Sequence, residues 1–327
     1  MHFRHFGSES TKVSEVGLGT WQLGGNWGPV DDRAAEATLA AAVEAGVNFL
    51  DTADVYGDGR SEERIAKFLK KRKERIFVAT KLGRRGDPGW PQNFTREAMR
   101  RHTEDSLRRL GVAALDLTQL HCVPTEVLRR GDVFEHLREL KAEGKILRFG
   151  ASVESMEEAH LCLDQPGLSS LQIIFNVLRQ KPVDTLLGAA KRKGVAIIVR
   201  LPLASGLLAD KFTRKTTFGA DDHRSFNRDG QAFNVGETFS GLPFEKGLEL
   251  IAELRNLVPF GMPMADFALR WILDHEAVSV IIPGASHPQQ ARANVVPSML
   301  PQLGLDLHEK LAEFYRSEVH AHIRGPY

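Results

Sequence analysis

One phrase recurs along this chain and restricts its fold more than any other feature. A helical pattern closes, a glycine follows, and a short apolar run begins, at Gly46-Val47, Gly111-Val112, Gly144-Lys145 and Gly194-Val195. Glycine at that point supplies the left-handed backbone that stops a helix and turns the chain back toward a sheet. The repeating unit is therefore strand then helix. Strand-like runs fall at residues 16–19, 47–50, 76–80, 115–120, 147–151, 171–175, 195–199 and 278–282. They are apolar on both faces, as strands of a parallel sheet covered by helices are. Helical patterns lie between them, at 31–45, 61–71, 95–110, 137–143, 155–163, 186–193, 244–257 and 263–274.

Eight such units can close into a (β/α)₈ barrel or open into a doubly wound sheet. The open sheet would announce a dinucleotide with GxGxxG after its first strand. Here that stretch reads Gly17-Leu18-Gly19-Thr20-Trp21-Gln22, without the third glycine, and Gly57-Asp58-Gly59-Arg60-Ser61-Glu62 is likewise incomplete. The expectation is an α/β (β/α)₈ TIM barrel, one domain over residues 1–327. Two parts lie outside the repeat. Residues 3–13 read as a hairpin turning near Gly7-Ser8, and residues 203–242, after the seventh strand, show no clear periodicity. A segment that long without periodicity in a compact fold is more often functional than idle, and its Gly, Ser, Asp and Arg content suggests a mobile flap over the strand ends.

Composition narrows the function. Lys plus Arg number 43 against 42 Asp plus Glu, a net charge of +1, which supplies no electrostatic footprint for nucleic acid or an anionic membrane. Neither is expected as a partner. The two cysteines, Cys122 and Cys162, have no CxxC spacing, so neither a disulfide framework nor a structural zinc site is expected. The first residues lack the apolar core of a secretory signal, and no apolar run approaches the ~18–20 residues of a membrane helix. A cytoplasmic protein is expected.

In a barrel of this kind the reactive groups sit at the C-terminal ends of the strands. The second strand runs out at Asp51, the third at Lys81 and the fourth at His121, with Tyr56 five residues beyond Asp51. Each alone reads more simply as a turn residue, a solvated strand end or a packed loop aromatic. Together they form a coherent set. A tyrosine with a pKa near ~10 is a poor acid until something stabilises its phenolate. A nearby lysine does so, a carboxylate would hold that lysine, and a histidine could orient a substrate carbonyl. An acid that protonates a carbonyl oxygen needs a hydride donor, which implies a nicotinamide. No histidines are spaced as HxxxH or HExxH, His320-Ala321-His322 reads as a solvated tail, and no metal is expected.

The chain resembles the aldo-keto reductases over nearly its whole length. The resemblance is carried by Val16-Gly17-Leu18-Gly19-Thr20-Trp21, by Asn48-Phe49-Leu50-Asp51-Thr52-Ala53-Asp54-Val55-Tyr56-Gly57 and by Ala79-Thr80-Lys81. Asp116-Leu117-Thr118-Gln119-Leu120-His121, Pro202-Leu203-Ala204-Ser205-Gly206-Leu207-Leu208 and Ile282-Pro283-Gly284-Ala285 extend it. It implies a catalytic set of Asp51, Tyr56, Lys81 and His121: Tyr56 as general acid, Lys81 lowering its pKa, Asp51 anchoring Lys81, His121 positioning the carbonyl.

For the cofactor it implies Ser152 and Gln172 at the carboxamide, with Val153 where many members have Asn, and Phe175 stacked on the nicotinamide. Gly19, Thr20, Trp21, Asp51 and Arg200 lie on the same rim, and Arg200 could instead meet an anionic substrate or pair with a carboxylate. The stretch Leu201, Pro202, Leu203, Ser205, Gly206 and Leu208, with Lys211, resembles a pyrophosphate-binding loop. Pro283, Gly284, Ser286, Gln290 and Asn294 would hold the adenosine end. Gly284 and Gln290 stand where many members carry Lys and Arg, and Arg224 resembles an arginine that reaches the adenosine phosphate. NADPH is the expected cofactor, with NADH the alternative. Trp21, Tyr56, Trp90, His121 and Cys122 are the expected substrate contacts, for a small carbonyl or alcohol. The rivals are a nicotinamide-binding regulatory subunit like the potassium-channel β subunits, which carry Asn at the position of His121, and a metal-assisted hydrolase or isomerase barrel. The histidine, and the single carboxylate clearly at the strand ends, favour the reductase.

Overall fold

The computed structural model describes residues 1–25 and 30–327. Strands β1 (Phe3–His5) and β2 (Lys12–Ser14) form an antiparallel hairpin. Eight parallel strands follow: β3 (Leu18–Gly19), β4 (Phe49–Asp51), β5 (Phe77–Leu82), β6 (Leu117–His121), β7 (Phe149–Ser152), β8 (Ser170–Ile174), β9 (Ala196–Arg200) and β10 (Val278–Ile281), each paired with the next in chain order. The sheet closes on itself where the chain beside β3 meets β10. Val16 bridges Ile281 and Gly19 bridges Gly284, while Gly17 N–H donates to Ile281 O at 2.8 Å. The result is the expected (β/α)₈ barrel.

The four punctuating glycines do what their position demands. Gly46, Gly111, Gly144 and Gly194 all have positive φ, between 66° and 97°. At Gly194 a side chain would also strike Ser8 in the hairpin turn, 2.6 Å from where its Cβ would lie. Two apolar layers result. An inner one fills the barrel with Phe6, Val13, Phe49, Phe77, Leu117, Ile198 and Val280. An outer one packs the strands against the helices, with Leu50, Leu120, Leu171, Ile197 and Trp271 among its members. The hairpin plugs the N-terminal end of the barrel: Phe6 packs on Phe77 at 5.0 Å and Phe77 on Phe49 at 5.1 Å between ring centroids. Arg4 ties the same hairpin to the far end of the chain, donating to His275 O and Val278 O at 3.2 and 2.8 Å.

Three of the barrel helices start at side-chain caps: Asp31, Thr95 and Ser155 each accept a backbone N–H through the side chain. The helices Pro288–Val295 and Leu305–Phe314, beyond the last strand, were not anticipated by periodicity. The stretch 203–242 lies over the strand ends, where it was expected. It is pinned to the rim by short helical turns, an aromatic cluster of Phe212, Phe218, Phe239 and Phe244, and a hydrogen bond of 2.9 Å from Asn176 to Ser240. No described helix is long and apolar enough to cross a membrane.

Candidate active site

The barrel brings Asp51, Lys81 and His121 together because they end or nearly end three adjacent strands, β4, β5 and β6. Tyr56 arrives on the turn after β4. Lys81 is the hub: its ammonium bonds to Asp51 Oδ1, donates to Thr52 O at 2.8 Å and lies 3.3 Å from the Tyr56 hydroxyl. The His121 ring meets the Tyr56 ring edge-on at 5.8 Å, and Trp21 stacks on the other side of Tyr56 at 5.9 Å.

Burial sets the charges. It pulls Lys81 toward the neutral form, but Asp51 and then Tyr56 more than offset this, and the ammonium is held above its ordinary value. Burial pushes the Tyr56 phenol up, and the Lys81 charge opposes it only in part. Lys81 thus acts on Tyr56 in the expected direction without setting the net shift. Burial first, then the charges of Arg84, Lys81 and Arg200, hold His121 well below its usual range. Its imidazole is neutral at pH 7, and its buried Nδ1 has no hydrogen-bond partner among the described residues.

Asp51, Tyr56 and His121 face a cavity of about 590 Å³ at the C-terminal ends of the strands, and Lys81 is buried off its wall. Of the residues singled out in the sequence, Gly19, Thr20, Trp21, Asp51, Tyr56, His121, Ser152 and Gln172 line it. So do Arg200, Leu201, Pro202, Leu203, Ser205, Gly206, Lys211, Arg224, Pro283, Gly284, Ser286, Gln290 and Asn294. Ala204, Ser205 and Gly206 carry φ of 49°, 55° and 99°. Such a run of left-handed residues is strained backbone of the kind kept at ligand clamps. Arg224 is ion-paired with Asp222 at 2.6 Å and lies over the Phe218 ring. At the other end Ser286 donates to Gln290 Oε1 through both its amide and its hydroxyl.

Other expected residues lie elsewhere. Phe175 is fully buried against Trp271 and His275, each 5.0 Å away, because the chain after β8 turns it outward onto the helix Met264–Leu273. Leu208 is fully buried in the outer core, off the cavity wall. Trp90 is half exposed, its indole N–H spent on Gly83 O and its ring on Phe94. Cys122 sits behind the wall with its sulfur 3.5 Å from the Ser152 hydroxyl, and burial pushes its thiol up to about 11.

Two residues on or beside the site were missed. Gln119, fully buried in β6, donates to Asp51 Oδ2 at 3.3 Å; its signal was an amide inside an otherwise apolar strand. Glu237 lines the cavity from the aperiodic segment, where nothing distinguishes it in sequence. It pairs with Arg84 at 2.7 Å and Arg200 at 3.8 Å, while Arg84 also reaches Glu154 at 3.1 Å. Burial alone would raise Glu237, but the two arginines bring it down to about 2; burial and then the Glu237 charge push Glu154 up to about 7. Cys122, Glu154 and Glu237 also bring potential metal-ligand atoms within 4.8 Å of one another, but both carboxylates there are engaged by Arg84.

Asp54, within the same motif as Tyr56, is fully buried, and its carboxylate oxygens make no well-formed hydrogen bond among the described residues. Burial, then the Glu62 charge, raises it to about 7. A carboxyl with an unfolded value near ~3.9 and a raised native value contributes stability below the former, which is lost as pH rises through the latter. Asp54→Asn is therefore expected to stabilise the fold by roughly 2–4 kcal/mol at pH 8 and by almost nothing at pH 4. Urea denaturation at the two pH values measures this; an equal effect at both would contradict the assignment.

The model of the aldo/keto reductase family matches residues 15–313. The chain is 30% identical over 301 residues to Aldo-keto reductase YhdN of Bacillus subtilis, covering 90% of this chain and 87% of the relative. It is 30% identical to the NADH-specific methylglyoxal reductase of Escherichia coli, covering 88% of this chain and 91% of the relative. Among solved structures it resembles the holo form of an aldo-keto reductase from Bacillus halodurans, with TM-score 0.78, 27% identity, and 96% of each chain covered. The glycerol dehydrogenase of Gluconobacter oxydans is similar too, with TM-score 0.75, 29% identity, and 97% of this chain and 96% of that chain covered. This chain belongs to the aldo/keto reductase family, whose members are nicotinamide-dependent oxidoreductases acting on small carbonyl compounds.

Proposed function

We propose that this protein reduces aldehydes or ketones to alcohols, reversibly, with NADPH as its preferred dinucleotide and Tyr56 as the general acid. The observation that carries the reading is the Lys81 ammonium, shared between Asp51 and the Tyr56 hydroxyl at 3.3 Å beside the neutral ring of His121.

The wall suits a dinucleotide. Arg200, Lys211 and Arg224 set three cations along one cavity, and the buried Nε of Arg200 has no hydrogen-bond partner among the described residues. Lys211 and the strained turn at Ala204–Gly206 would meet the pyrophosphate, Ser152 and Gln172 the carboxamide, and Ser286, Gln290, Asn294 and Arg224 the adenosine end. When bound, the dinucleotide supplies a hydride to the carbonyl carbon. The chain's part is the proton: Tyr56 gives its hydroxyl proton to the carbonyl oxygen, and Lys81 stabilises the phenolate left behind. His121 carries its proton on Nε2, which leaves only a lone pair unpaired at buried Nδ1, and donates to the same oxygen. Asp51 keeps Lys81 aimed at Tyr56.

Titration of intrinsic tryptophan fluorescence with NADPH and NADH tests the reading, because Trp21 lines the cavity and stacks on Tyr56. Saturable quenching is expected, tighter with NADPH. In Arg224→Ala the Kd for NADPH is expected to rise about tenfold more than that for NADH, since one charge-assisted bond to a phosphate is worth at least about 1.4 kcal/mol. Equal losses would remove Arg224 from the 2′-phosphate, and no binding of either dinucleotide would overturn the function.

A further inference from the structure

We propose that Arg200 makes this site discriminate between the two redox forms of its dinucleotide, holding the reduced form more tightly than the oxidised one. The inference rests on the reading of the cavity as a nicotinamide site.

The placement of the cation comes first. Arg200 ends β9 and pairs with Ile174, two residues beyond Gln172 on the neighbouring strand β8. Its guanidinium reaches across to β7 and β6. Nη2 donates to Val153 O at 3.2 Å and lies 3.5 Å from Cys122 Sγ. Val153 directly follows Ser152, Cys122 directly follows His121, and the Cys122 sulfur is itself 3.5 Å from the Ser152 hydroxyl. The charge therefore stands beside the residues that would hold the nicotinamide and close to the reacting groups. Phe175, the ring expected on this part of the wall, is turned outward onto Trp271. A cation occupies the place where an aromatic face was expected.

That cation is poorly compensated. Glu237 lies 3.8 Å from Arg200 but 2.7 Å from Arg84, and Glu154 is 3.1 Å from Arg84. Both nearby carboxylates are thus directed mainly at Arg84. Among the described residues Arg200 donates no hydrogen bond through Nε or Nη1. A guanidinium does not lose its proton, so the charge is permanent, and the side chain lines the cavity.

A nicotinamide ring carries a positive charge when oxidised and none when reduced, whereas the phosphates carry the same charge in both forms. Lys211 and Arg224, meeting phosphates, would hold the two forms alike. Only a charge near the ring tells them apart. Like charges a few ångströms apart in a partly dry site repel strongly enough for a preference of about tenfold, even with Glu237 offsetting part of the field. Such a preference sets the midpoint potential of the bound dinucleotide about 30 mV above that of the free one. It also clears the site after each reduction, because the oxidised product is the weaker ligand and the reduced form displaces it.

The test is the ratio of the Kd for NADP⁺ to that for NADPH, measured by quenching of tryptophan fluorescence. The wild-type ratio is expected to be about ten or more. In Arg200→Met, which keeps length without charge, it is expected to fall below about three. In Arg200→Lys, which keeps the charge, it is expected to stay above about three. In Glu237→Gln, which removes the offsetting carboxylate, it is expected to rise by about threefold. A general loosening of the site would move both Kd values together and leave the ratio intact. Equal weakening of both forms in Arg200→Met would put Arg200 on a phosphate and overturn the proposal. So would a wild-type ratio near one, a ratio lost in Arg200→Lys as fully as in Arg200→Met, or no rise in Glu237→Gln. If Arg200→Met does not fold, the outcome with Glu237→Gln decides. Failure of the wild-type protein to bind either dinucleotide overturns the role of Arg200 together with the nicotinamide reading.

Discussion

Replacing Tyr56 by Phe is expected to lower kcat for carbonyl reduction by about 10³-fold or more while the dinucleotide Kd changes less than about threefold. The substitution removes one oxygen and almost nothing else. The ring that stacks on Trp21 at 5.9 Å and meets the edge of His121 at 5.8 Å remains. Lys81 keeps Asp51 and the Thr52 carbonyl at 2.8 Å, so no buried charge is left alone. The effect should therefore fall on the proton-transfer step, seen as a loss in kcat and kcat/KM together with an unchanged melting temperature. Steady-state assays with a panel of small aldehydes and ketones measure it. Reduction at close to the wild-type rate would mean that another group protonates the oxygen.

Lys81→Met should be the most damaging single substitution for the fold within the site. Lys81 and Asp51 are 1% and 3% exposed, and removing one member of a buried pair leaves the other charge uncompensated. The expected cost is about 3–5 kcal/mol in urea denaturation. The double variant Asp51→Asn with Lys81→Met should recover most of that stability, because an amide at position 51 still accepts from Gln119 and Gln172 without carrying charge. It should recover none of the activity, since the phenolate of Tyr56 would have no cation beside it. A single variant as stable as the wild-type protein, or a double variant no more stable than the single, would show that the ion pair does not bear on the fold in this way.

The parts of the site that sequence reveals are those tied to the strand period. Asp51, Lys81 and His121 are found because each closes an apolar run, and the end of a run is a place in a barrel. Tyr56 follows because its turn is short. Register by contrast is lost one residue past a strand: Phe175 follows β8 directly, yet the chain turns its ring to the helical layer. Trp90 illustrates a different loss, since an aromatic in a Gly-Trp-Pro turn carries no sign of which way it faces. Glu237 could not be found by periodicity, as the segment that bears it has none; only the partners Arg84, from the loop after β5, and Arg200, at the end of β9, give it meaning. Gln119 was visible as an oddity, an amide in an apolar strand, but its partners lie on β4 and β8, and only closure of the barrel brings them within reach.

Closure has a consequence for how the chain is made. The seam joins Val16 to Ile281, and Arg4 of the hairpin bonds to carbonyls at His275 and Val278. Residues made early thus have partners made about 270 positions later, a long-range contact that is slow to form for that reason. Through most of synthesis the sheet has two bare edges, each able to pair with another strand. The hairpin is completed early and engaged late, like a clasp fastened only when the belt has gone all the way round.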